Sequence, residues 1–279
     1  MPPDQAVPPV ITFLSDYGRL DEFVGVCHGV IARRCPAARV IDLTHAIPRH
    51  DVRAGATVLD AALPYLPAGV HMAVVDPGVG ASGPHARRAV ALRTAGEERL
   101  LVGPDNGLLM PAAERLGGVA EAVDIGSSPE RLQPVSSTFH GRDIFAPVAA
   151  ALAAGVSLAE VGEPLPAHEL RRLELPAAEL SDGSVVAHVL CCDHFGNLIL
   201  DARAQQLAAA GMQPGAALAV RHAGRDHAAW YAATFADVPP GELLLYEDAQ
   251  QMIALAVNRG SAAQLLGAGR DDEIVVRTA

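Results

Sequence analysis

Val74-Val75-Asp76-Pro77-Gly78-Val79-Gly80 is the stretch on which the fold of this chain turns. Just upstream, Val70-His71-Met72-Ala73-Val74-Val75 is an apolar run of strand length bounded by Gly69 and Pro77. Pro77 has no amide hydrogen to give to a sheet ladder, and Gly78 and Gly80 admit backbone conformations that other residues avoid. The segment reads as a buried parallel strand that stops abruptly and leaves Asp76 at its carboxyl end, where open α/β sheets bind ligands. The same residues also fit a strand followed by a tight turn that Asp76 caps. The rest of the chain has to decide between the two.

Working outward, the N-terminal half alternates strands with helices. Val10 to Leu14 reads as a strand, and Ser15-Asp16-Tyr17-Gly18 as the turn after it. Phe23, Val26, Cys27, Val30 and Ile31 recur at helical spacing, and Pro36 ends that helix. Arg39 to Leu43 is a second strand, and Asp51 is placed to cap a helix running toward Pro64. Past the central stretch, Ala89 to Leu92, Arg99 to Val102 and Ala120 to Ile125 read as strands. Leu108 to Leu116 and a segment from Ile144 to Ala154 read as helices. This alternation predicts an α/β domain with a mostly parallel sheet flanked by helices.

From Glu163 to Asp182 prolines appear and periodicity fades, as expected of a connection between domains. Beyond it come short strand candidates and turns: Ser184 to Cys192, Leu198 to Leu200, Ala217 to Arg221, Ala228 to Thr234, Glu242 to Glu247 and Glu273 to Arg277. Ala204 to Ala210 is the one helical stretch among them. The expected organisation is an α/β domain over 1–163, a connection over 164–182 and a smaller, mainly β domain over 183–279.

Composition excludes several functions. The net charge of −11 argues against nucleic acid and anionic membrane as partners, and suits a cationic small ligand. All 21 basic residues are arginine. The chain therefore has no Schiff-base lysine, no pyridoxal-phosphate lysine and no Walker-A lysine. Histidines are scattered without an HExxH, so no metal site is expected, and no GxSxG elbow surrounds a serine. Gly78-Val79-Gly80 lacks the third glycine of a dinucleotide fingerprint. Cys27, Cys35, Cys191 and Cys192 form no CxxC pair and are expected to be buried free thiols. No apolar run reaches the length of a membrane span, and Met1-Pro2-Pro3-Asp4-Gln5 lacks the features of a leader, so a cytoplasmic protein is expected.

Asp16, Thr44, Asp76, Asn106 and His140 each fall in a turn or just past a predicted strand. In a doubly wound sheet several of them meet at one edge. A carboxylate, a guanidinium and an imidazole together can orient and deprotonate water. Equally, the aspartates can cap turns, Arg87 and Arg88 can be solvated, and His140 can be an ordinary loop histidine. Composition and spacing leave both readings open.

A set of segments in order closely resembles the S-adenosylmethionine hydrolases that form adenosine, the SAM hydroxide adenosyltransferase family related to fluorinase and chlorinase. They are Thr12 to Gly18, Ile41-Asp42-Leu43-Thr44-His45, Val75 to Gly80, Gly103-Pro104-Asp105-Asn106-Gly107, Thr138-Phe139-His140-Gly141-Arg142-Asp143, Asp193-His194-Phe195-Gly196-Asn197 and Asp237 to Glu242. The resemblance implies an N-terminal α/β domain, a C-terminal barrel-like domain and a homotrimer holding substrate between subunits, with no cofactor or metal. It implies a water-activating triad in which Asp76 and His140 match. Arg87 is the best match for the arginine and Arg88 the fallback. Asp16 resembles a ribose ligand, Asp193 and Asn197 the pair that holds the methionine amino group, and Phe195 lies in the same motif.

The implied reaction is hydrolysis of S-adenosylmethionine to adenosine and methionine. The halogenases resemble this chain too, but carry tyrosine in place of Asp76 and serine in place of Gly141. A carboxylate repels a halide and suits water. Two departures stand out: the family's lysine on the first helix is His28 here, and its Asn-Ser-Ser-Gly-like stretch is Asp248-Ala249-Gln250-Gln251. The second motivates an alternative, a sensor that binds S-adenosylmethionine or adenosine without turnover. A halide-using 5′-adenosyl transferase is another.

Overall fold

The structure is a computed structural model, and it describes residues 7–279. The opening Met1 to Gln5 lies outside the described residues. The chain divides into two compact units, one ending at Leu173 and one spanning Glu174–Ala279.

In the first unit the order is β1 (Val10–Ser15), α1 (Phe23–Arg34), β2 (Arg39–Thr44), α2 (Val52–Ala62), β3 (Val70–Val74), β4 (Ala89–Thr94), β5 (Leu100–Pro104), α3 (Met110–Arg115) and β6 (Val119–Asp124). A turn of π-helix at Gly141–Phe145 then leads into α4 (Ala146–Ala153), α5 (Leu158–Val161) and the short β7 (Glu163–Pro164). The sheet order is β2-β1-β3-β5-β4-β6-β7. The pairs β1–β2, β1–β3 and β3–β5 are parallel because helical crossovers or long connections join them. Strand β4 instead folds straight back into β5 and pairs with it antiparallel, and the far edge stays antiparallel.

Alternation across the strands supplies the core. Ile11 and Phe13 of β1 and Met72 and Val74 of β3 pack with Ile31 of α1 and with Ala146, Val148 and Ala149 of α4. Phe13 is fully buried, as are most residues of the alanine-rich α4, whose small side chains let the helix lie close to the sheet. Each fully buried large side chain contributes about 1.5–3 kcal/mol. Helix α2 begins as the sequence suggests, with the Asp51 side chain accepting from Ala54 N at 2.9 Å. Residues 163–173, read from sequence mostly as a connection, belong to this unit. Leu165 N donates to Ala122 O over 2.8 Å, and Arg171 N to the Asp105 carboxylate, also over 2.8 Å.

The second unit contains β8 (Glu179–Ser181), β9 (Ser184–Cys192), β10 (Leu198–Leu200), α6 (Ala204–Ala209), β11 (Ala217–His222), β12 (Arg225–Tyr231), β13 (Leu243–Glu247), β14 (Ile253–Val257), α7 (Ala262–Leu266) and β15 (Glu273–Thr278). The order β10-β14-β13-β12-β11-β15-β9 closes through a β9–β10 pairing into a barrel, which leaves β8 as an outer strand on β9. Val185, Ala187 and Val189 point inward with Leu218, Val220, Ile274 and Val276. This period of two is what a barrel wall requires, here antiparallel except between β12 and β13, which pair parallel.

Several strands depart from expectation, among them the short β7 and β8, which lie in the stretch read as a connection. The stretch Ile253–Val257 was not read as a strand, yet it is β14 and buried along its whole length, so it shows no alternation. Strand β12 starts at Arg225 rather than Ala228. Ala223 and Gly224 both take positive φ (47° and 76°), forming a tight hairpin that pairs Arg225 with His222. Of the four cysteines, only Cys27 and Cys35 are buried. Cys191 is half-buried and Cys192 exposed, because β9 emerges from the barrel as it ends.

Candidate active site

Strand pairing sets the site's first two groups. Ser15 of β1 pairs with Val74 of β3, so Asp16 and Asp76 leave adjacent strands at nearly the same level, at the carboxyl edge. The loop after Asp76 is pressed tightly onto residue 137. Gly80 has φ +71°, and a Cβ there would lie 2.1 Å from Ser137 O. No other residue fits that position.

Arg87 reaches back from the end of this loop. Its Nε donates to Asp76 Oδ1 at 2.9 Å and Oδ2 at 3.1 Å, and its Nη2 also donates to Asp76 Oδ2. The same Nη2 lies 2.8 Å from His140 Nδ1. A guanidinium has only donors, so His140 Nδ1 accepts and the ring is neutral, with its proton on Nε2. Both charged side chains are nearly buried, 5% exposed for Arg87 and 6% for Asp76. The guanidinium carbon also sits 5.4 Å from the ring centroid of the buried Phe145. Burial first, and the Arg87 charge second, lower the His140 pKa from its ordinary 6.5. Arg88 faces elsewhere, donating to Glu169 Oε2 at 2.8 Å with its side chain 39% exposed.

His140 is positioned from below. The buried Asp143 carboxylate accepts from Ser136 N at 2.7 Å and Arg142 Nε at 2.6 Å, tying the loop before His140 to the π-helical turn after it. Gly141 leaves room for Tyr17: a Cβ at 141 would stand 2.1 Å from the Tyr17 hydroxyl. Burial raises the Tyr17 pKa well above its ordinary 10, so the hydroxyl keeps its proton.

These groups open onto one cavity of about 330 Å³. Asp16, Asp76 and His140 line it with Tyr17, Arg49 and His50. Asp16 is held by His50 N, which donates to its Oδ2 at 2.9 Å. Sequence reasoning missed Arg49 and His50, which follow Pro48 as a plain loop; His50 in the left-handed region (φ 66°) had no glycine to announce it. Thr44 and Asn106 do not line the cavity. Thr44 Oγ1 accepts from Ala46 N at 3.1 Å, and Asn106 Nδ2 donates to Val75 O at 2.8 Å, bracing the strand end.

Asp193, Phe195 and Asn197 lie in the second unit, on the loop joining β9 and β10. Asp193 Oδ1 accepts from Phe195 N at 2.8 Å and Asn197 N at 2.9 Å, and Asn197 Nδ2 donates to Asp193 Oδ2 at 2.7 Å. This closed loop leaves Phe195 74% exposed. The same unit carries a groove of about 640 Å³ lined by Phe235, Asp237, Asn258 and Arg259 among others. Of these the sequence had singled out only Asp237, inside a motif. The divergent stretch Asp248 to Gln251 folds as an ordered turn, with Asp248 Oδ1 accepting from Gln250 N at 2.8 Å and Met252 N at 2.9 Å.

A parallel-edged α/β unit with an Asp–Arg–His cluster, joined in one chain to a closed barrel, defines a narrow class. The SAM hydroxide adenosyltransferase N-terminal domain matches residues 11–162, and the C-terminal domain of that family matches 187–275. The chain belongs to the SAM hydroxide adenosyltransferase family. It is 52% identical over 240 residues to an (R)-S-adenosyl-L-methionine hydrolase from Salinispora arenicola, covering 85% of this chain and 86% of that protein. A fluorinase from Actinoplanes sp. is 31% identical over 228 residues, covering 73% of this chain and 75% of the fluorinase. The crystal structure of an uncharacterized conserved protein from Thermotoga maritima superposes with a TM-score of 0.88 at 36% identity, covering 96% of this chain and 99% of that one.

Proposed function

We propose that this chain hydrolyses S-adenosyl-L-methionine, with water attacking ribose C5′ and the neutral thioether of methionine leaving. One C–O bond forms, one C–S bond breaks, and the proton of water passes to solvent. The observation that carries the reading is that Arg87, behind the wall, hydrogen-bonds both Asp76 and His140, which line the cavity together with Asp16. The sulfonium is already a good leaving group, so catalysis is a matter of placing water in line and raising its nucleophilicity.

In this reading Asp76 orients the water and accepts its proton. Arg87 fixes both neighbours and opposes the build-up of negative charge, and His140 relays the proton outward, taking it on Nδ1 as the Arg87 hydrogen bond there is released and giving up the one on Nε2. Asp16 holds the ribose hydroxyls. Asp193 and Asn197 bind the methionine amino group beside Phe195. The Salinispora relative is named for the (R) sulfonium epimer, and we extend that preference to this chain. The exposed Phe195 supports assembly as a homotrimer in which a neighbouring subunit covers it. The buried free thiols Cys27 and Cys35 suit a reducing, cytoplasmic setting. Among the described residues no helix is long and apolar enough to cross a membrane.

The test is product analysis with the two sulfonium epimers kept apart, in buffers with and without chloride or fluoride. Adenosine and methionine from the (R) epimer are expected. Appearance of 5′-halo-5′-deoxyadenosine would transfer the assignment to halide chemistry. Binding without any product would reduce the protein to a sensor.

A further inference from the structure

Outside this cavity, two imidazoles, one from α1 and one from the end of β2, converge on a single carboxylate oxygen. His28 Nε2, from the middle of α1, lies 2.8 Å from Asp42 Oδ1 on the edge strand β2. His45 Nε2, just past the end of β2, lies 3.1 Å from the same oxygen. One ligand atom from each of the three lies within 4.8 Å of the others. Asp42 and His45 belong to a segment that resembles the family, but His28 stands where the family has a lysine. A lysine there would bring an ammonium to this carboxylate; a histidine brings a second imidazole lone pair.

His45 is the decisive member. It is 1% exposed and its Nε2 makes no hydrogen bond, despite lying beside the carboxylate. Its other nitrogen, Nδ1, is 2.8 Å from Ser15 Oγ. With Nδ1–H donated to that hydroxyl, Nε2 presents its lone pair beside the Asp42 carboxylate, 3.1 Å away, where the two can share a cation. Metal-bound histidines are held in this way, with the far nitrogen fixed by a second partner. Asp42 and His28 keep one side open, with side chains 33% and 35% exposed, so solvent can complete the coordination.

We infer that His28, Asp42 and His45 form a site for a divalent transition cation of the zinc class. Two imidazole nitrogens and a carboxylate oxygen suit zinc, with a water as fourth ligand. Zinc bonds of about 2.0–2.2 Å in a tetrahedron set ligand atoms about 3.4 Å apart, so both nitrogens draw back from the oxygen on binding, His28 further than His45. The bound ion ties α1 to β2. Through Ser15, and through the Gly18 N to His45 O hydrogen bond of 2.7 Å, it also braces the turn that carries Asp16. Its role is therefore to stiffen one wall of the cavity, away from the reacting atoms. No spacing along the chain announces it, because a helix position meets Asp42 and His45 only when α1 packs on the sheet edge.

Zinc chloride titrated into chelator-treated, untagged full-length protein tests this, followed by calorimetry and thermal melting, with cobalt(II) absorption as a second readout. One zinc per chain is expected, with a melting midpoint raised by several degrees and tetrahedral cobalt bands. Millimolar magnesium should not compete. His28→Lys, which installs the family's residue at a half-exposed position, and Asp42→Asn should each weaken zinc binding about a hundredfold or more while leaving the circular dichroism unchanged. Absence of a stoichiometric site in the wild type overturns the inference. So does one that survives both substitutions undiminished.

Discussion

Arg87 donates through Nη2 to Nδ1 of His140 over 2.8 Å while its Nε holds Asp76. The arginine is thus the middle member of the cluster, and it dictates which nitrogen of His140 carries the proton. Arg87→Ala removes both restraints at once. Its kcat/KM should fall at least about tenfold, which is roughly 1.4 kcal/mol of transition-state stabilisation. Arg87→Lys should recover only part, since an ammonium cannot span both partners as the planar fork does. Arg88→Ala should stay near wild type, because Arg88 pairs with Glu169 away from the cavity. Steady-state kinetics on the three variants checks this; an inactive Arg88→Ala beside a normal Arg87→Ala would reverse it.

The space at Gly141 yields a second prediction. A methyl group there would lie 2.1 Å from Tyr17 Oη and 3.0 Å from Cζ. Gly141→Ala and Gly141→Ser should therefore displace the tyrosine, costing about 1–3 kcal/mol of stability and about tenfold or more in kcat/KM. Tyr17→Phe removes the nearest atom and should restore part of the loss in the double variant. A double-mutant cycle with no coupling would show that the two positions do not compete for space.

The activity profile should follow His140. Protonation of Nδ1 would end its hydrogen bond from Arg87 and set two cations side by side. Burial and the Arg87 charge lower its pKa, so the neutral ring persists below the ordinary 6.5. Plotted against pH, kcat/KM should be flat through neutrality and decline only below pH 6.5. An acid limb centred above that value would assign the titration to another group.

Stability has its own pH dependence, through His71. This buried residue on β3 bonds through Nδ1 to Thr12 Oγ1 at 2.9 Å, and burial pushes its pKa down to about 4. In the unfolded chain it titrates near 6.5, so between pH 6.5 and 4 the unfolded state binds more protons. Its contribution is complete above pH 6.5 and is lost as the pH falls toward 4, amounting to about 3 kcal/mol at most. Urea midpoints should therefore drop between pH 7 and pH 5, and His71→Leu should flatten that drop.

The sequence made the carboxyl edge legible because strands stop where Pro77 and the glycines stop them. Asp16 and Asp76 could then be placed without knowing the register. The adjacency of Arg87 and Arg88 also signalled that only one could face inward, since neighbours on an extended segment point opposite ways. Three other features were hidden. The fully apolar β14 lacks the alternation that marks half-buried strands. His50 enters the site by its backbone amide, which no side-chain pattern reveals. The convergence of His28 with Asp42 and His45 is set by helix packing.

The most direct test of the proposed chemistry is turnover of the (R) epimer in ¹⁸O-labelled water, with mass analysis of both products. Attack of water at C5′ predicts adenosine carrying one heavy oxygen at its 5′ position and methionine carrying none, with the Asp76→Asn variant nearly silent. Adenosine without label, or label in methionine, would contradict the account.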